Sequence, residues 1–206
     1  MPKYTVEQAI SKIQYLYECY GTETYEEKCT QLQHAQQCAT LAIEWQLDEE
    51  IALAAFLHDI GHLIAQNDRL EGFTPYGHAD HDRLGAKFLA ECGFSKRLLL
   101  VIREHVQVKR YLVAAQPGYF DTLSEASVYT LNLQGGMMNK NEVKAYAKTP
   151  YIEEIIQLRK LDDSGKLPEM ICFELSYWME LAKKHLLNNK TNVDPEIFES
   201  YNLYLM

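Results

Sequence analysis

The segment Phe56-Leu57-His58-Asp59-Ile60-Gly61-His62 sets a His-Asp pair and a second histidine inside an otherwise apolar stretch. Apolar stretches fold inward, and titratable groups carried inward need partners. His34 lies upstream; His81, His105 and Asp162 lie downstream. A lone histidine on an apolar helix face is ordinarily a core residue donating one hydrogen bond. Four histidines on four separate helices or helix edges, one of them followed directly by Asp, are a different case. Several neutral imidazoles converging on a core without a partner are costly, and a metal ion supplies the partner.

The chain around this segment reads as helical throughout. Thr5 to Tyr20 carries Val6, Ile10, Ile13, Leu16 and Tyr17 at spacings of three and four, and Gly21 ends it. Thr22 to Thr30 is a polar loop. Leu32 to Trp45 is a second helix with His34 on or beside its apolar side. Asp48 caps a third, opened by Glu49 and Glu50, which runs through His58 and stops near Gly61. On that helix His58 and His62, four apart, face one cavity. Ala65 to His78, with Gly72, Pro75 and Gly77, is a long connection and a candidate lid.

Asp80 to Cys92 is helical up to Gly93. Ser95 caps the next helix, whose buried stripe holds Leu98, Val101, Ile102 and His105 and which extends to Ala115. Leu123 to Leu133 is short and ends at Gly135-Gly136. Asn139 with Glu142 forms a cap, and Pro150 suits the first turn of the helix that reaches Asp162. Pro168 opens a final long helix to about Asn188, and Asp194-Pro195 begins a tail element. No strand pattern persists. The expectation is an all-α fold: a single domain over 1–206, a helical bundle with its metal-binding core at about 31–166 and the first and last helices packed outside.

Composition narrows the partners. The 206 residues carry a formal charge of -9 and no long Lys/Arg run, which argues against nucleic acid. A small anion is still admissible, since a few basic residues set the potential inside a cleft. The five cysteines are widely spaced with no Cys-x-x-Cys pair, which fits a reducing cytosol and a cytoplasmic protein. No stretch approaches a membrane span and none reads as a signal peptide.

His34, His58, His81 and His105 with two carboxylates are more ligands than one tetrahedral ion needs. Asp59, directly beside His58, can bridge two ions with its two oxygens, and Asp162 adds a terminal one. Mixed imidazole and carboxylate donors suit iron or manganese rather than a thiolate zinc site.

His34, His58-Asp59 and Asp162 resemble the signature of the HD-domain superfamily of metal-dependent phosphohydrolases, and His81 and His105 resemble its two-metal branch. A narrower resemblance rests on Gln31-Leu32-Gln33-His34-Ala35, His105-Val106-Gln107-Val108-Lys109-Arg110-Tyr111-Leu112, Leu131-Asn132-Leu133-Gln134-Gly135-Gly136 and Leu158-Arg159-Lys160-Leu161-Asp162-Asp163. These look like the PhnZ-type oxygenases, mixed-valent di-iron enzymes that cleave the carbon-phosphorus bond of 1-hydroxyphosphonates. The resemblance implies two iron ions as Fe(II)/Fe(III), O2 as cosubstrate and a small organophosphonate as substrate. The products would be phosphate and a carboxylate of the glycine or betaine type.

It also implies roles for further residues. His62, one turn from His58, would meet a phosphonate oxygen. Lys109, one turn beyond His105, supplies a compact charge, and Arg159, three before Asp162, a planar fork. Ser127 would donate its hydroxyl to the same group. Asp163 is an alternative to Asp162; Asp162 is preferred because Lys166 then lies one turn onward, as in the family. One departure stands in the loop ahead of His34. Members of the family carry a Tyr three residues before a Glu, the Tyr occupying the iron until substrate displaces it. Here Glu27 matches the Glu, but Thr24 takes the Tyr place and Tyr25 stands one residue late. Glu26 and Glu27 would suit an ammonium group. The reading that competes with a phosphonate oxygenase is a two-metal phosphomonoesterase or nucleotidase, in which the ions activate water.

Overall fold

The computed structural model of the chain describes residues 2–25, 29–167 and 169–189. Helix α1 (Val6–Tyr20) starts at Thr5, whose side chain accepts from the Gln8 amide while Gln8 reaches back to the Thr5 amide. Helix α2 (Gln31–Glu44) opens with the same reciprocal cap between Thr30 and Gln33. Replacing Thr30 with Ala should cost about 1 kcal/mol. That corresponds to a melting temperature lower by roughly 2–4 °C for a chain of this length, measurable by calorimetry.

Helix α3 (Glu49–Leu57), capped by Asp48, is apolar all round and buried from Ile51 to Leu57. A short helix with no polar face has to sit in the middle, and α3 packs against α2, α6, α9 and α10. Phe56 stacks on Trp178 with ring centroids 5.4 Å apart, and Tyr17 donates its hydroxyl to the Phe56 carbonyl at 2.6 Å. These two contacts hold α1 and α10 (Leu175–Asn189) on the outside of the central helix.

The chain then breaks at His58-Asp59 and restarts as α4 (Ile60–Asn67). The single helix ending near Gly61 is therefore two helices, and Gly61 lies inside the second. Its role is close approach: a Cβ at Gly61 would meet the His81 carbonyl oxygen at 1.8 Å. Gly61 lets α4 lie directly on α5 (His81–Cys92), which ends at Gly93 in the left-handed region (φ 94°).

The connection before α5 starts after Asn67 and contains a two-residue antiparallel ladder, β1 (Phe73–Thr74) with β2 (Gly77–His78), that the sequence reading left out. Strands of two residues are too short to show alternation. Helix α6 (Lys96–Ala115) is capped by Ser95. A single 3-10 turn (Phe120–Thr122) leads into α7 (Glu125–Leu133), followed by α8 (Lys140–Tyr146) with its Asn139/Glu142 cap.

Helix α9 (Ile152–Ser164) begins one residue after Tyr151, which sits at φ 60°, so Pro150 precedes the helix rather than entering its first turn. The last helix starts at Leu175, later than expected, with residues 169–174 outside it. There Thr40 Oγ1 accepts the Phe173 amide and the Trp178 indole donates to the Phe173 carbonyl, tying the segment down without helix. Pro168, Glu26, Glu27 and the Asp194-Pro195 element lie outside the described residues. Among the described residues no helix is long and apolar enough to cross a membrane.

Candidate metal centre

Five parts of the chain deliver the six expected donors to one place. His34 comes from the first turns of α2, His58 and Asp59 from the α3–α4 break, His81 from the first residue of α5, His105 from mid-α6 and Asp162 from the end of α9. The break matters chemically. Asp59 is the residue before α4, yet its carboxylate makes no capping hydrogen bond. It is left free to face inward.

Its two oxygens face different partners. Asp59 Oδ2 lies 3.3 Å from His58 Nε2 and 3.6 Å from His34 Nε2; Asp162 Oδ1 closes that group at 3.2 Å from His34 Nε2. Asp59 Oδ1 lies 3.4 Å from His81 Nε2 and 3.6 Å from His105 Nε2. Donors about 2.1 Å from one ion are roughly 3.0 Å apart in an octahedron and 3.4 Å apart in a tetrahedron. The first group spans 3.2 to 3.9 Å, the longest from His58 Nε2 to Asp162 Oδ1, and the second 3.1 to 3.6 Å, at or slightly beyond those spacings.

The hydrogen bonds decide what such groups need. The four Nδ1 atoms lie against backbone carbonyls: His34 on Gly165 at 2.8 Å, His58 on Ala55 at 2.8 Å, His81 on His78 at 2.9 Å and His105 on Ile102 at 2.5 Å. A carbonyl accepts only, so each Nδ1 carries a proton and each ring turns its Nε2 inward. Against burial, Asp59 and Asp162 raise His58 to about 10, so without an ion its Nε2 also holds a proton, a positive charge in the place a metal ion would take. His81 Nε2 and His105 Nε2 then face each other at 3.1 Å with no proton to share and Asp59 Oδ1 alongside. His58 Nε2 is fully buried and has no hydrogen-bond partner among the described residues. Lone pairs converging on lone pairs call for cations between them, and carbonyl-anchored imidazoles are the usual second layer of a metal site. The donor set fits two ions sharing Asp59.

The carboxylates are ionised. Burial alone would raise Asp59, but the imidazoles, His58 first among them, hold it well below the usual carboxylate range. Asp162 is likewise held low, against burial, by Arg159 and then by His34 and His58. Asp163 does not point at the histidines; it accepts from the Tyr119 hydroxyl at 2.6 Å and from Arg159.

A cavity of about 80 Å³ opens beside the cluster. That is the liquid volume of roughly two to three waters, so it admits a ligand of few heavy atoms. His62, Lys109, Ser127 and Arg159 all line it. His62 Nδ1 accepts the His78 amide at 2.9 Å, and burial, then His81, holds the ring well below its usual pKa, neutral. Its remaining N–H lies on Nε2, 4.0 Å from Asp59 Oδ1. Lys109 donates to Thr130 Oγ1 at 2.6 Å.

Arg159 commits most of its donors: Nη1 to Asp162 Oδ2 at 2.7 Å, Nε to the Tyr119 hydroxyl at 3.1 Å, and Nη2 to Ser127 Oγ at 3.1 Å and to Asp163. It is as much the holder of Asp162 as a free fork. Tyr25 also lines the cavity. Its backbone takes φ 42°, its ring lies 5.2 Å from that of His62, and its hydroxyl donates to Gln66 Oε1 at 2.7 Å. Glu27 is outside the described residues.

The sequence reading missed Thr130, Tyr119, Cys38 and the hairpin. Thr130 could have been found, three residues after Ser127 on the same helix face. Tyr119 and Cys38 gave no signal. Cys38 Sγ sits 3.7 Å from both His34 nitrogens, and Gly165 makes room for it, since a Cβ there would meet that sulfur at 2.3 Å. The hairpin places Tyr76 at the cavity, 5.0 Å from the Tyr129 ring, and Gly77 (φ 90°) leaves space for the His62 ring, which a Cβ would strike at 2.5 Å.

Residues 32–146 match the family model described as the HD domain. The chain is 39% identical over 156 residues to a [1-hydroxy-2-(trimethylamino)ethyl]phosphonate dioxygenase (glycine-betaine-forming) of Leisingera caerulea, covering 73% of this chain and 76% of that one. It is 38% identical over 149 residues to a hydroxymethylphosphonate dioxygenase of Gimesia maris, covering 72% and 73%. An uncharacterised protein of Acanthamoeba polyphaga mimivirus is 37% identical over 187 residues, 90% of this chain and 85% of that protein.

Proposed function

This chain belongs to the HD domain family, in the company of phosphonate dioxygenases, and from that premise we propose that it is a di-iron dioxygenase of small 1-hydroxyphosphonates. Its substrate would be a 1-hydroxy-2-(amino or N-methylated amino)ethylphosphonate, converted to phosphate and a glycine- or betaine-type carboxylate. The observation that carries the reading is Asp59, whose two oxygens face two separate groups of inward imidazole nitrogens beside a small cavity with a buried lysine.

The balance of the reaction needs no outside reductant. The C1–H and C–P bonds break, C1 gives up four electrons, and one O2 takes them. One oxygen atom ends in the carboxylate and one in phosphate. The ions, held by His34, His58, Asp59, His81, His105 and Asp162, would supply the redox chemistry.

The chain's own residues bind and orient. Lys109 offers the compact charge, held in place by Thr130. Ser127 offers a hydroxyl and His62 a neutral N–H to phosphonate oxygens. Arg159 keeps Asp162 aimed at His34 and lends its positive charge to the same wall. Tyr25 and Tyr76 close the mouth. Neutral His62 accepts the hairpin amide, so the lid's position is tied to the cavity wall.

The test is phosphate release from 2-amino-1-hydroxyethylphosphonate by iron-loaded, partly reduced protein, with dissolved oxygen followed in the same cell. Equal release and uptake support the reading. Phosphate without oxygen uptake would make the enzyme a hydrolase of the same family.

Lys109 gives a second prediction. Burial, then the neighbouring Arg159, lowers its ammonium to about 7. A phosphonate dianion pairs with the protonated form, which is lost as pH rises through that value, so kcat/KM should fall on the alkaline side of about 7. Lys109→Ala should keep its metal, raise KM by roughly 10-fold or more and lose that alkaline limb. Unchanged KM and an unchanged pH profile would remove Lys109 from the binding wall.

A further inference from the structure

Resting on the phosphonate reading above, we infer that Gln31 sets specificity at the end of the substrate remote from the phosphonate. Its side-chain amide oxygen accepts a hydrogen bond from the ligand, a demand that an ammonium N–H meets and a trimethylammonium group does not. Gln31 is 7% exposed and lines the cavity, and its Oε1 is buried without a hydrogen-bond partner among the described residues. Buried acceptors in folded proteins are almost always paired, so an unpaired one in a cavity wall marks where a donor arrives.

The neighbouring glutamines show that helix α2 does not need this amide. Gln33 spends its side chain on the Thr30 amide, closing the cap. Gln37, 2% exposed, satisfies both ends on Leu167, donating to its carbonyl at 2.6 Å and accepting its amide at 3.0 Å. The first-turn amides of α2 are also spoken for: Gln31 N on the Glu23 carbonyl, Leu32 N on the Gly21 carbonyl and Gln33 N on Thr30 Oγ1. The Gln31 backbone is thus anchored one turn before His34 on the same face, and its side-chain oxygen is used by no described protein group.

The polarity is complementary to the rest of the cavity. Lys109 on α6, Ser127 on α7 and Arg159 on α9 present donors, suited to phosphonate oxygens. Among the described residues Gln134 Oε1, just past α7, is an unpaired acceptor beside those donors, and Gln31 brings a second one from α2. Each N-methyl group replaces one N–H, and full methylation would leave Oε1 buried and unpaired with the ligand bound. A site so built discriminates by the cost of the missing hydrogen bond.

The experiment is calorimetric binding to the metal-loaded full chain, using 2-aminoethylphosphonate, its N-trimethyl form and ethylphosphonate, none of which carries the 1-hydroxyl needed for turnover. Wild type should bind 2-aminoethylphosphonate about 10-fold more tightly than the other two. Gln31→Leu should bind all three alike, with the Kd for ethylphosphonate unchanged. Gln31→Glu, which keeps an acceptor, should restore the preference, and its melting temperature guards against a folding artefact. Equal binding of the amino and trimethylamino ligands by wild type would overturn the inference alone. So would a Gln31→Leu variant that weakens ethylphosphonate as much as 2-aminoethylphosphonate. Failure of wild type to bind any of the three would overturn the phosphonate reading and the inference with it.

Discussion

Asp59→Ala should lose both metal ions and turnover in one step. Among the described residues the carboxylate is the only group that faces all four imidazoles, through Oδ2 to His34 and His58 and through Oδ1 to His81 and His105. Removing it takes a donor and a negative charge from each group at once, whereas His58→Ala takes one neutral donor from one group. Activity should fall by on the order of 10³-fold or more, the scale expected when an ion that carries the chemistry is gone. Elemental analysis of the purified variant beside a turnover assay is the check. A full metal complement in the Asp59 variant would refute the shared-carboxylate assignment.

Gly61→Ala should be nearly as damaging, although it adds one methyl group and removes nothing. The new Cβ would lie 1.8 Å from the His81 carbonyl oxygen and 2.8 Å from the His81 Cα. Both are backbone atoms, so no side chain can swing aside, and α4 and α5 must part. Overpacking of this kind costs on the order of 3 kcal/mol, roughly 6–12 °C of melting temperature at this chain length. His81 opens α5, so parting the helices also drags a donor away from Asp59 Oδ1, and the variant should retain one metal per chain. Gly85→Ala is the control across the same crossing: its Cβ would meet Gly61 N at 3.3 Å, a contact a small shift relieves. A Gly61→Ala protein that melts within 2 °C of wild type and holds two metals would show the crossing to be loose.

Gly61 also shows where sequence reasoning stopped. As a residue type it reads as a helix stop, and only the neighbouring backbone reveals it as a contact point. The helices themselves were legible because their signals are local. The caps at Asp48, Ser95 and Asn139 and the stripe of α6 lie within a turn or two of sequence. The His-Asp pair with His34, His81, His105 and Asp162 was legible because ionisable groups on apolar faces are few and need each other. The Tyr119–Arg159–Asp163 and Lys109–Thr130 contacts were not, since they join residues far apart in sequence through ordinary polar side chains. Asp162 against Asp163 was settled on family spacing alone; the structure turns the first toward His34 and the second toward Tyr119.

The scatter of the six donors along the chain has a consequence for biosynthesis. His58 and Asp59 are neighbours, but every other donor stands alone on its own helix, and Asp162 near the end of α9 closes the set. A nascent chain therefore carries no chelating segment as it leaves the ribosome. Asp59, His81 and His105 are all made before α9, but the group at His34 and His58 is completed only when α9 has been made and has folded back against α2 and α6. A product truncated before α9 would hold five of the six donors without the wall that aligns His34. Loading of both ions therefore belongs to the end of maturation, and the metal supply at that moment sets how much of the finished protein carries the full pair.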